Sequence, residues 1–332
     1  MRRRQWQVGL AALGIALIAG SGSARQAGDR LAAIPSHAVK LTPEADRHPP
    51  VMHSREFKTP VPLGPAINTA GAEDSPFITP DGNTLFFFFT PDVTVPANRQ
   101  LFDGVTGIWV SRRVRGQWTR AERVVLQEPG KLALDGAPTV RDDTLWFVSA
   151  REGYTGVHHF TAAWKNGRWS DVRHMGDRLR AELQVGELHI ARDGTMYFHS
   201  DRPGGKGGLD LWKMERLQRQ GRRQEAADAG EGWGRPVNMA ALNSEGDEGW
   251  PFVSEDGKEF WFLRTHQGSP GLFRSKRTSG GWSKPELMVS TFAGEPTLDN
   301  AGNLYFVHHF YRDGKMLEAD IYFAERLREA RR

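Results

Sequence analysis

The chain has 332 residues, with 44 Lys and Arg against 40 Asp and Glu, 11 His and no cysteine. Without cysteine there are no disulfides, no thiolate metal sites and no lipid-modified cysteine at the N-terminus. The basic excess sits at the start: residues 1–24 hold three Arg and no acid, so the chain without them has 41 basic and 40 acidic residues. A nearly neutral chain lacks the electrostatic footprint of a nucleic-acid binder.

Arg2-Arg3-Arg4 precedes an apolar run over residues 8–20 and then the small residues Gly20-Ser21-Gly22-Ser23-Ala24. Charge, short apolar core and small-residue exit predict a secretory signal over residues 1–24, cut after Ala24. The run is short for a membrane span, which takes about 20 residues; an uncleaved anchor is the alternative. The signal implies export to the periplasm or beyond, with no stable membrane span after cleavage. Residues 25–54 show no sustained period and read as a flexible tether, or alternatively as a small cap packed on the rest of the chain.

From residue 55 to 326 one pattern repeats. Its clearest copy runs from Asp247 to Pro285 and reads as four short strands joined by tight turns. Asp256-Gly257 and Gly280-Gly281 between apolar runs are hairpin signals, because such turns need the positive φ that Gly accepts. The first-strand anchor recurs around Pro76, Pro138, Leu188, Pro251 and Pro296, each followed by an apolar-aromatic strand. Trp118, Trp169, Trp233 and Trp282 open the fourth strands, but the fifth copy ends at its third. Phe57-Lys58-Thr59-Pro60 has the spacing of Trp282-Ser283-Lys284-Pro285, so a strand near residues 57–63 should complete the last sheet. A lone meander cannot bury both faces, and repeats of roughly 45–60 residues fit an all-β, five-bladed β-propeller closed by an N-terminal strand. The expected units are residues 73–126, 135–176, 185–240, 247–289 and 294–326 plus 55–64. Six blades is the alternative if residues 25–54 hide another unit. Residues 216–232, rich in Gln, Arg and Glu, should be an exposed insertion in the third.

Three strings carry a family likeness. They are residues 63–82 (LGPAINTAGAEDSPFITPDG), Ser200–Trp212 (SDRPGGKGGLDLW) and residues 232–248 (GWGRPVNMAALNSEGDE). They resemble the PD40 or WD40-like (TolB-like) β-propeller repeat of bacterial envelope proteins. The resemblance implies a propeller fold and a cell-envelope setting with protein partners. It says little of chemistry, since propellers host binding modules and enzymes alike.

The informative polar pattern is an acid before each innermost strand. Glu73, Asp135 and Glu248 lie three residues before the anchor, and Glu187 and Glu295 one before it. Odd offsets share a strand face, so all five are expected at one mouth of a central channel, with Asp74 and Asp247 facing elsewhere. Three readings compete. The acids cap turns between blades, or they form an anionic ring for a cation or basic ligand, or two or three serve a glycosidase. The last would need Glu73, Asp135 and Glu187 at about 5–5.5 Å for retention or 6.5–9.5 Å for inversion. His189 shares a face with Glu187, and Trp250 is a candidate ligand platform. No cofactor is called for, although a divalent cation could sit among Glu187, His189 and their neighbours. His308-His309 should point to opposite faces and not chelate as a pair. The favoured reading is a monomeric, exported, non-catalytic binding or scaffold propeller whose acidic mouth takes an envelope protein or glycan. The alternative is a secreted glycoside hydrolase.

Overall fold

The computed structural model describes residues 29–176, 179, 186–217 and 232–327. The expected signal segment and most of the 216–232 insertion therefore lie outside the described residues. The structure is all-β, built of four-stranded antiparallel sheets, and is consistent with a propeller.

The described strands group into five antiparallel meanders. The first is Ala72–Ile78, Thr84–Thr90, Gly107–Val114 and Glu122–Arg123. The second is Ala133–Arg141, Thr144–Arg151, His158–Lys165 and Arg168–His174. The third is Leu188–Ile190, Met196–Ser200, Asp210–Met214 and Val237–Asn238. The fourth is Glu248–Val253, Glu259–His266, Ser269–Thr278 and Glu286–Ser290. The fifth is Ala293–Leu298, Leu304–Arg312 and Lys315–Ala324, and its outer strand pairs with Val61–Pro62. Phe57 bridges Arg326 on the same edge.

The turns follow the sequence logic. Gly257 takes φ +70° between the first two strands of the fourth meander, and Asp142 takes φ +51° at the matching turn of the second, where Gly is absent. Aromatics fill the space between sheets. Phe86 meets Trp169 at 6.2 Å, Tyr197 meets Phe260 at 5.2 Å and Phe57 meets Trp261 at 5.8 Å. Burial of each such ring is worth roughly 2–3 kcal/mol.

A corner motif links neighbouring sheets. Asn68 exchanges two hydrogen bonds with the backbone of Ile321, and Asn243 exchanges two with Leu211, all within 3.0 Å. In each case the chain then enters the next sheet, five residues later, at Glu73 or Glu248.

Where a tether was expected, residues 29–54 are pinned to the sheets. The Arg30 guanidinium donates to Ile67 O and Ala66 O, Lys40 pairs with Glu318 and Asp320, His308 meets Asp46 at 2.9 Å, and Val51–Met52 pairs with Glu286–Ser290. The segment without a sustained period supplies ion pairs instead. Just beyond, Glu56 lies against Arg274, Arg326 and Lys276, and the Arg274 hydrogen bonds hold its carboxyl far below the usual range.

Candidate functional site

The residue before the anchor proline occupies positive φ in four meanders: Ser75 at +47°, Ala137 at +52°, Trp250 at +50° and Glu295 at +57°. Each sits in a bulge, where the register slips between Asp74 and Phe77, Gly136 and Thr139, Gly249 and Phe252, and Gly294 and Thr297. One extra residue unpairs the ladder and re-aims the neighbouring side chains. Ser75, Ala137, Glu187, Trp250 and Glu295, one from each meander, line a single pocket that His189 also borders. The pocket is narrow, about 30 Å³, room for one or two waters.

The bulge divides the expected acid set. Glu187 and Glu295 reach the pocket, while Glu73, Asp135 and Glu248 are absent from its lining. Those three are fully buried and each is matched by an arginine. Glu73 accepts from Thr69 N at 2.8 Å and faces Arg30 at 3.3 Å. Even so, burial pushes its carboxyl up to about 8 against the pull of Arg30. Asp135 accepts from Ser149 Oγ at 2.6 Å and Arg151 at 2.8 Å. Glu248 accepts from Ser244 N at 2.9 Å and Arg264 Nε at 2.7 Å. In geometry Glu73 and Glu248 are corner anchors, of the kind the turn-capping reading describes, while Asp135 is held within its own hairpin. The constellation Glu73, Asp135 and Glu187 is not brought together in this pocket.

Instead, Asp74 joins Glu295 and Glu187. The Ser75 N–H donates to both Glu295 Oε2 at 2.6 Å and Asp74 Oδ1 at 2.9 Å, and the Ser75 hydroxyl donates to Glu187. Alternation placed Asp74 on the opposite face, and the bulge at Ser75 undoes that. Burial pushes Glu295 well above the carboxylate range, with Asp74 and Glu187 adding repulsion. Burial likewise raises Glu187 to about 8, opposed by Ser75 and by a hydrogen bond from Trp250. Asp74 goes the other way: burial is outweighed by His309 beside it, and its carboxyl is held down.

Histidines surround the cluster. His308 and His309 do point apart, towards Asp46 and Asp74. His309 Nε2 lies 3.6 Å from Asp74 Oδ1, and neither ring nitrogen has a hydrogen bond. His189 packs on Phe252 at 4.4 Å with both nitrogens unpartnered, and burial depresses it to about 3. Trp250 packs on His199 at 4.7 Å, whose Nδ1 accepts from Trp250 N. Among the described residues, Asp74, Glu295 and His309 bring two carboxylate oxygens and a ring nitrogen within 4.8 Å of one another. Sequence reasoning set Asp74 on the other face and left His309 out, because the bulge that brings them together has no local trace in Ser75-Pro76.

No family model and no curated protein matches the chain. Among solved structures, TolB from Acinetobacter baumannii is similar over 78% of this chain and 56% of its own, at 13% identity and a TM-score of 0.44. This chain thus spans just over half of that structure. Endo-arabinase from Bacteroides thetaiotaomicron is similar over 81% and 98%, at 14% identity and 0.47. At these identities and scores the likenesses transfer no chemistry. Among the described residues, no helix is long and apolar enough to cross a membrane.

Proposed function

We propose that the five meanders are the blades of one five-bladed propeller, completed by the strand around Val61–Pro62, and that the protein is an exported, non-catalytic binding or scaffold propeller of the cell envelope. It would present a protein or glycan ligand with the face around the axial pocket, where Glu187, His189, Trp250 and Glu295 lie. The signal-like N-terminus and the repeat resemblance support the setting. The observation that carries the non-catalytic reading is the pocket itself: about 30 Å³ is far below the roughly 300–1,000 Å³ of sites that enclose small ligands. Three of the five expected acids are, besides, tied to arginines.

One observation favours the glycosidase reading. Glu187 is raised to about 8 while neighbouring Asp74 is lowered, and such a split is how paired carboxylates divide acid and base roles. The two readings part in one experiment. Purified protein is assayed on a glycoside panel and used as bait for envelope extracts and immobilised glycans. The binding reading expects no turnover and a captured ligand weakened by substitution at Trp250. Turnover abolished by Glu187→Gln and Asp74→Asn, but kept by Asp135→Asn, would overturn it.

A further inference from the structure

We propose that Asp74, Glu295 and His309 form a binding site for one divalent transition-metal ion, Mn²⁺ or Zn²⁺, at the junction of the first and fifth meanders. Such a site does not depend on the scaffold reading.

The two carboxylates are buried and share one backbone donor, the Ser75 N–H. Among the described residues no Lys or Arg lies within ion-pair distance of either. A third carboxylate, Glu187, is joined to them through the Ser75 hydroxyl. Glu73, Asp135 and Glu248 each have a guanidinium at 2.7–3.3 Å. This cluster gathers three acids without one.

The second, separate observation is His309. It is fully buried, and both ring nitrogens lack a hydrogen bond. Burying a polar group without a partner costs free energy. Its Nε2 lies on the cluster side, 3.6 Å from Asp74 Oδ1, too long for a hydrogen bond. A proton shared between Asp74 and Glu295 would relieve the repulsion but leave His309 with only its 3.6 Å contact to Asp74 and no hydrogen bond on either nitrogen. An ion satisfies both, taking the ring lone pair and an oxygen from each acid.

The donor set selects the ion. Imidazole suits first-row transition ions and carboxylates suit Mn²⁺ and Zn²⁺ as well. Calcium prefers six to eight oxygens, more than this set offers. Space beside Glu295 in the pocket allows water to fill remaining positions.

The test uses the purified chain, stripped with chelator and titrated calorimetrically with MnCl₂, ZnCl₂ and CaCl₂. One equivalent of Mn²⁺ or Zn²⁺ is expected, with Ca²⁺ weaker. Glu295→Gln and His309→Gln should each weaken binding by about 100-fold or more, while Glu248→Gln, outside the cluster, keeps it. Circular dichroism and the unfolding midpoint check that each variant folds. If one does not, nitrogen coupling in the electron-spin-echo spectrum of the Mn²⁺-loaded wild type still reads the imidazole. A folded wild type that binds no ion saturably overturns the proposal, as does binding undiminished in both variants.

Discussion

Two sets of acids beside the innermost strands are stabilised in opposite ways. Glu73, Asp135 and Glu248 each have an arginine and a hydroxyl or amide. Asp74, Glu187 and Glu295 share the donors of Ser75 and face one another. The first arrangement pairs each carboxylate with a guanidinium; the second crowds three carboxyl groups with no Lys or Arg among them, and burial drives Glu187 and Glu295 to hold their protons. In the first and fifth meanders a residue at positive φ, Ser75 or Glu295, brings Asp74 and Glu295 into the cluster, while Glu187 reaches it without one. The largest expected effect tests the paired set. Arg264→Met leaves Glu248 buried and uncompensated, which should cost about 3–5 kcal/mol, read from the urea midpoint. Arg151→Met should do the same to Asp135. A loss below about 1 kcal/mol in both would mean these acids are not held by charge pairing.

The same measurement on isosteric amides should change sign between the sets. Glu248→Gln removes the charge opposite Arg264 and leaves one acceptor oxygen to serve both Arg264 and Ser244 N–H, and should destabilise by about 2 kcal/mol. Glu295→Gln, in chelator-treated protein, replaces a carboxyl that burial and its acidic neighbours already keep protonated and should be neutral or stabilising by about 1 kcal/mol. Equal losses in the two variants would erase the distinction.

The fold was legible because it rests on local signals. Turn glycines, apolar strands and a Trp at or a few residues before the fourth strand repeat through the first four meanders, and the spacing around Phe57 matched an edge the chain pairs at Val61–Pro62. The site was half legible. Counting back from Pro76, Pro138, Leu188, Pro251 and Pro296 picked out five acids beside the innermost strands but assigned them one face, since alternation assumes an unbroken ladder, and only Glu187 and Glu295 line the pocket. The bulges re-sort them, and nothing in Ser75-Pro76 or Glu295-Pro296 announces φ near +50°. Arginine partners were partly readable: Arg151 and Arg264 each lie sixteen residues after their acid, across one hairpin. In the first meander that position is Phe89, and Arg30 comes from the N-terminal segment to lie 5.2 Å over its ring. A long-range substitution of that kind has no local trace.

An imidazole packed behind Trp250 gives a pH test. His199, buried against Trp250, is depressed to about 3 by burial. Its unfolded value is about 6.5, so its contribution to stability is present above about 6.5 and is lost as pH falls towards 3. At pH 5 that loss is about 2 kcal/mol. His199→Gln should flatten the fall in stability between pH 6.5 and 5, whatever its effect at pH 7. An unchanged slope would mean His199 protonates freely in the folded protein.

The smallest effect belongs to a third group of acids, which borrows its cation from the N-terminal segment. Glu318 and Asp320 are both buried and face Lys40. Burial still pushes Asp320 up to about 7, with Lys40 opposing it. This group therefore sits between the arginine-paired set and the open cluster. Lys40→Met withdraws the ammonium, but Asp320 can answer by taking a proton near neutral pH. The net loss should stay near 1 kcal/mol, well under that of Arg264→Met. The local effect should be larger: faster amide exchange at Leu41, whose N–H donates to Glu318, with the core strand Leu304–Arg312 unaffected. Uniform acceleration across both segments would show that Lys40 supports the whole fold rather than the packing of residues 29–54.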